Sequence, residues 1–197
     1  MSPRDAATRP TLTPESIVRA VLDLGVDRFS MHGVARHLGV SATALYRHVG
    51  SRDELIALAM DTLCTQIEMP PADAEWRSYL TALANEFRRT LRAMPGAADY
   101  GSKIGPATPT ALGIVDQALG VLRDAGFSGL GAWRAYSLVV NYAFYAVQSE
   151  EHFHRLEAEH GAGGFRVFQL RPEEHARFPN VAWSTSDFDF DFDASFA

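Results

Sequence analysis

Apolar residues return along this chain every three or four positions, which is the period of a helix buried on one face. Thr13 and Pro14 offer an N-cap and a first helical residue, and Ile17, Val18, Val21 and Leu22 follow on one face up to a stop at Gly25. Ser30 caps a second helix carrying Val34 and Leu38, closed by Gly39, and Ser41 caps a short third one around Leu45 that ends near Gly50. Ser51 with Glu54 three residues on has the form of a capping box, and Leu55, Leu58, Ala59 and Leu63 continue a fourth helix behind it. After the turn-rich stretch EMPPAD at 68–73 the elements lengthen. Trp76, Leu80, Leu83, Phe87 and Leu91 form one stripe before Pro95–Gly96. Thr108–Pro109 opens the next helix, with Leu112, Val115, Leu119 and Leu122 expected inside and Gly126 past its end. Residues 131–158 read as one long helix, GAGG at 161–164 as a flexible loop and 171–178 as a short helix. No hairpin signal and no internal repeat interrupts the pattern, so the predicted class is all-α.

Composition changes this picture little. Of 197 residues, 47% are hydrophobic and 21% charged, the balance of a folded globular protein. No apolar run approaches the roughly 20 residues of a membrane span, and no signal-peptide pattern opens the chain, so a cytoplasmic location with no membrane partner is expected. The single cysteine, Cys64, sits in an apolar pattern and is expected to be a small buried hydrophobe.

Charge changes it more. The net charge is −6, yet residues 1–55 hold seven arginines against six acids and three of the histidines, His32, His37 and His48. A mildly basic N-terminal part therefore stands on an acidic body, which is compatible with nucleic acid at one end only.

The second and third helices are joined by very few residues around Gly39, whose freedom to take a positive φ lets two short helices cross steeply. Val34, Ala35, Leu38, Val40 and Leu45 supply a small core for the pair. This is the layout of a helix-turn-helix, whose second helix enters the major groove. It explains the otherwise odd triplet Tyr46–Arg47–His48. Tyr46 offers a hydroxyl to a phosphate, Arg47 reaches phosphate or a guanine edge, and His48 donates to the DNA backbone. The capped start of helix four adds backbone N–H groups, a positive dipole end and Arg52.

The segment SMHGVARHLGVSATALYRHVGSRDEL, residues 30–55, resembles the DNA-binding domain of the tetracycline-repressor (TetR) family of bacterial transcriptional regulators. The resemblance is carried by Gly39, Val40, Ser41, Leu45, Tyr46, His48, Val49, Ser51, Arg52 and Leu55, and it covers roughly residues 13–64. Three departures stand out. Gly25–Val26–Asp27 arrives early, so helix one and its turn are short; Gly33 sits inside helix two, at a cost of about 1 kcal/mol relative to alanine; and Arg52 replaces a frequent lysine. The resemblance implies that Ser30, His32, Ser41, Ala42, Thr43, Tyr46, Arg47, His48 and Arg52 face DNA, with Leu45 and Val49 in the core. It implies a helix-turn-helix domain over 1–66, including an N-terminal arm and the linking helix four, and a ligand-binding and dimerisation domain over 67–197. The partners it implies are double-stranded DNA carrying a pseudo-palindromic operator, a small-molecule effector and a second copy of the chain.

The larger half offers its own support. Residues 132–147, AWRAYSLVVNYAFYAV, hold one charge and are apolar around nearly the whole helix, which requires burial on all sides. Trp133, Tyr136, Val140, Phe144 and Val147 share one face, while Leu138, Tyr142 and Tyr145 point elsewhere. Aromatic walls with a few convergent polar groups suit a ligand pocket, and the wall is expected from Phe87, Met94, Tyr100, Asn141, Tyr142 and Tyr145. The same aromatics also suit an ordinary core. His152 and His154 lie two apart on a helix and cannot chelate together; Glu150 with His154 or His154 with Glu157 could, but a solvated charged face with no metal and no cofactor is the expectation. The alternating tail DFDFDFDASFA at 187–197 reads equally as a truncated dimer helix or a disordered end. With no phosphate loop, paired metal motif or nucleophile elbow, no enzyme is expected. The leading expectation is a repressor released from its operator by a small molecule. A ligand-independent DNA-binding protein or an activator is the alternative.

Overall fold

In the computed structural model residues 12–161 and 172–185 are described, and every regular element among them is helical. Two compact units are formed, one up to Tyr145 and the other from Ala146 onward. The first contains α1 (Pro14–Leu24), α2 (Met31–His37), α3 (Ala42–Tyr46), α4 (Arg52–Cys64), α5 (Trp76–Arg92), α6 (Ala97–Ile104), α7 (Pro109–Asp124) and the larger part of α8 (Gly129–His160). The second contains the end of α8, a single 3₁₀ turn over Pro172–Glu174 and α9 (Pro179–Thr185).

Local hydrogen bonds explain where the short helices begin. The Thr13 hydroxyl accepts from the Ser16 N–H at 3.2 Å, and the Ser16 hydroxyl oxygen accepts from the Thr13 N–H at 3.0 Å, closing a reciprocal cap on α1. Ser30, Ser41 and Ser51 repeat half of this device, each accepting from a backbone N–H three residues on at 3.0–3.1 Å. At α4 the return bond differs from a standard capping box. The Glu54 carboxylate accepts from the Gly50 N–H at 2.7 Å, one residue further out than the N-cap itself. Such caps contribute about 1 kcal/mol each, a large share of what helices of five and seven residues have to themselves.

The end of α2 sets the crossing. Val40 donates to the Ala35 carbonyl at 2.9 Å and Gly39 to that of Arg36 at 3.2 Å, while Gly39 takes φ 67°. This pair of bonds is the Schellman closure, which needs a left-handed residue and so favours glycine. Ile17, Val21, Val34, Leu45, Val49 and Leu55 are then buried together as the core of the first three helices and the start of α4.

In the rest of the first unit three sequence expectations change. Residues 97–104 form α6, an element the apolar pattern does not announce: it follows Gly96 at φ 82° without a side-chain cap and carries Gly101 in its middle. On α7 the buried face is Ile114, Val115, Ala118, Val121 and Leu122, so Leu112 is not inside but 53% exposed. Leu119 is half-buried. On α8 Trp133 shares its expected face with Tyr136 and Val140 yet remains partly exposed. Leu138, Tyr142 and Tyr145 point outward, Leu138 being 75% exposed.

In the second unit the helix expected over 171–178 is only the 3₁₀ turn and a following turn, and regular helix resumes at Pro179. His154 Nδ1 lies 3.7 Å from a Glu157 carboxylate oxygen on the exposed side of α8, a surface pair one turn apart. The tail at 187–197 and most of the glycine-rich stretch at 161–164 lie outside the described residues.

Candidate nucleic-acid interface and effector cavity

The residues expected to face DNA are presented as one exposed group on α2, α3 and the start of α4. Ser30, His32, Ser41, Thr43, Arg47, His48 and Arg52 are exposed, Ala42 is half-buried, and Tyr46 is 49% exposed. Leu45 and Val49, flanking the triplet, are buried, so α3 is pinned by its inner face while Tyr46, Arg47 and His48 are left outside. The Ser30 and Ser41 oxygens accept the capping bonds, which leaves each hydroxyl hydrogen available outward.

Arg52 is tied inward as well. Its Nη2 donates to the Val26 carbonyl at 3.1 Å, and the guanidinium carbon lies 4.7 Å from the centre of the Phe29 ring. Val26 in turn donates its N–H to the Pro95 carbonyl at 3.0 Å. The short α1–α2 turn therefore rests directly on the turn before α6. The approach is close: a Cβ on Gly96 would stand 2.7 Å from the Asp27 Cβ and 2.9 Å from its backbone nitrogen.

Behind α4 lies a cavity of about 210 Å³. Met60 and Cys64 of α4 form one wall and Phe87 of α5 another. Gly101, Ser102, Gly105 and Pro106 close it from α6 and the loop beyond, and Ala111 and Ile114 from α7. One face of α8 completes it with Trp133, Tyr136, Ser137, Val140, Asn141 and Phe144, positions that recur at intervals of three and four. The rings come in pairs: Phe87 and Phe144 have centres 5.9 Å apart, Trp133 and Tyr136 6.0 Å apart.

Of the six residues expected to line a pocket, Phe87 and Asn141 do so. The other four stand elsewhere. Met94 is fully buried in the core, Tyr100 is half-buried on α6, and Tyr142 and Tyr145 occupy the outward side of α8. An all-round apolar helix does not reveal which of its faces meets the cavity. The spacing of Trp133, Tyr136, Val140 and Phe144 was the usable signal, whereas Gly101 and Pro106 leave none. Cys64 also departs from expectation, being half-buried on the cavity wall. Burial, and then the Asp61 carboxylate, push its thiol up to about 11. Tyr136 is pushed up to about 12, chiefly by burial and then by the neighbouring Cys64 and Tyr79. Both stay protonated and neutral near pH 7.

Residues 19–59 match the model of the bacterial regulatory proteins of the tetR family, and residues 69–197 that of the tetracyclin repressor-like C-terminal domain. The chain belongs to the TetR family. It is 32% identical over 184 residues to an HTH-type transcriptional regulator of Saccharopolyspora erythraea, covering 91% of this chain and 77% of that one. It is 31% identical over 147 residues to the class A tetracycline repressor protein from transposon 1721 in Escherichia coli, covering 71% and 68%. Among solved structures, apo ActR of Streptomyces coelicolor superposes with a TM-score of 0.75 at 24% identity, covering 94% of this chain and 91% of that one; ActR has also been crystallised with actinorhodin. This TetR-family chain is a helix-turn-helix transcriptional regulator. Its relatives are regulators rather than enzymes, and no helix among its described residues is long and apolar enough to cross a membrane.

Proposed function

We propose that this regulator is a cytoplasmic repressor, without catalytic activity, whose grip on its operator is released by a small molecule bound in the α4–α8 cavity. DNA reading is assigned to residues 1–66, and effector binding and dimerisation to 67–197. The observation that carries the reading is the double engagement of α4. Arg52 begins it among the exposed DNA-facing residues, and Met60 and Cys64, about two and three turns on, form the cavity wall. A molecule entering beside α8 bears on the rod that seats the reading helix.

In this reading Ser30, His32, Ser41, Ala42, Thr43, His48 and Arg52 contact or border the DNA backbone and groove. Tyr46 serves phosphate, and Arg47 serves phosphate or base. The outward apolar face of α8, with Leu138, Tyr142 and Tyr145, is covered by a second copy. The two reading helices of the dimer then address half-sites about one turn of DNA apart, roughly 34–36 Å. A ligand-independent binder would have no use for the cavity, and it is the cavity that favours the effector-released reading over that alternative.

The test uses the full chain with an operator selected from random duplex DNA. A bound effector should raise the melting point, by the equivalent of about 2.7 kcal/mol at a hundredfold excess over Kd. It should also lower operator affinity, and the operator should lower effector affinity by the same factor. A cavity ligand that leaves operator affinity unchanged would return the chain to the constitutive class.

A further inference from the structure

We propose that the effector is an uncharged aromatic molecule bearing a carbonyl or hydroxyl oxygen, bound without a metal ion between the paired rings and held by Tyr136, Ser137 and Asn141. The inference rests on the reading of the cavity as the effector site and specifies the chemistry of its occupant.

None of the fifteen residues that line the cavity is an aspartate, glutamate, lysine, arginine or histidine. Its two weak acids, Cys64 and Tyr136, remain neutral at physiological pH. An ion drawn from water into such a place meets no charged side chain on the wall itself, and an unpaired buried charge is costly by several kcal/mol. Asp61, one turn before Cys64 and close enough to act on its thiol, is not part of the wall. Beside the Thr108 and Thr110 hydroxyls at the start of α7, its carboxyl is held below the usual range. No group of three or more histidine, cysteine, aspartate or glutamate side chains among the described residues is placed to hold a metal.

Tyr136 is more than nine-tenths buried, and neither its hydroxyl nor the side chains of Ser137 and Asn141 make a hydrogen bond with the described residues. These three lie within six residues on one face of α8, against the cavity. Together they offer two hydroxyl donors and an amide that both donates and accepts. A ligand oxygen satisfies them; a pure hydrocarbon leaves them unpaired.

A Cβ on Gly101 would come within 2.7 Å of the Phe144 ring and 3.3 Å of the Met60 methyl. The missing side chain leaves room for the Phe144 ring against α6, and a methyl group there would press that ring towards the cavity.

The test sets three near-isosteres, 2-acetylnaphthalene, 2-naphthoate and 2-naphthylmethylammonium, and the larger tetracycline with magnesium, against the whole protein. Binding is read by calorimetry, and occupancy of this cavity by protection of Cys64 from alkylation. The neutral ketone should bind and protect Cys64, with both ions at least 100-fold weaker. Tyr136→Phe and Asn141→Ala should each weaken it about 2- to 10-fold. Gly101→Ala should weaken it further while sparing the smaller acetophenone, because the displaced Phe144 ring takes up cavity volume. Melting of each unliganded variant separates lost affinity from lost folding. An ion or a magnesium–tetracycline complex that protects Cys64 as well as the ketone does would overturn this proposal and leave the effector reading standing. A ketone that releases operator without protecting Cys64 would overturn both. Failure of the ketone to bind at millimolar concentration overturns the proposal.

Discussion

The DNA-reading head and the cavity use polar side chains in opposite ways. In the head those that frame the reading helix are anchored, with Tyr46, Arg47 and His48 projecting from the frame: Ser30, Ser41 and Ser51 cap helices, Glu54 returns to Gly50, and Arg52 reaches Val26. Around the cavity Tyr136, Ser137 and Asn141 are left without a partner in the described chain. A surface that must match a fixed partner such as DNA benefits from side chains and backbone already held in place. A receptor for a small molecule keeps its hydrogen-bonding groups open for the molecule to complete.

Substitutions that cut into both regions should separate them. Leu45→Ala removes a fully buried side chain from a core built of few residues, and should cost about 2–5 kcal/mol in thermal or urea unfolding, with loss of operator binding. The matching cut on the other side, Val140→Ala, borders space that is already empty and should cost only about 1 kcal/mol. Equal losses would mean that the cavity wall is as tightly packed as the head.

Next come the two turns. Gly96→Ala meets the Asp27 backbone as well as a positive φ and should cost about 1–3 kcal/mol, whereas Gly39→Ala meets nothing within 4 Å and should cost about 1 kcal/mol from backbone strain alone. Comparable melting points for the two variants would argue against the close seat between α1–α2 and α6. Arg47→Ala should leave the melting point within about 0.5 kcal/mol of the parent while weakening the operator by about 1–3 kcal/mol. Wild-type affinity in that variant would remove Arg47 from the interface.

The smallest expected effect is alkaline. Cys64 ionises at about 11 in the folded chain against an ordinary 9.0, so the unfolded chain loses this proton first as pH rises. The contribution is fully present below about pH 9 and is lost towards 11, and Cys64→Ala should flatten that part of the stability profile. An unchanged slope in the variant would place the thiol in contact with water.

The head was legible in the sequence because its signals are local. Serine caps, the closure at Gly39 and the apolar spacing of Ile17, Val21, Val34 and Leu45 each need only a few neighbouring residues. The cavity was legible only in part because it is assembled from five helices. Phe87 and Asn141 could be named from composition, but choosing Tyr136 over Tyr142 required knowing the rotation of α8. The helix α6 escaped because AADYGSKI has no apolar stripe, and its burial depends on close approach through Ala97, Ala98 and Gly101. Leu112 was misplaced because the buried face of α7 centres on Val115, Ala118 and Leu122, about one residue's rotation from the expected stripe.

One dimension of α4 has a mechanical consequence. Its thirteen residues make a rod about 20 Å long at roughly 1.5 Å per residue. Held at its Cys64 end, such a lever turns a tilt of about 5° into a sweep of nearly 2 Å at Arg52, by the same helical rise. Two levers swinging apart in a symmetric pair would separate the reading helices by about 3–4 Å, close to the 3.4 Å step between successive bases. A displacement no larger than a single ring slipping between α4 and α8 is thus geared up to one base pair of misregistration.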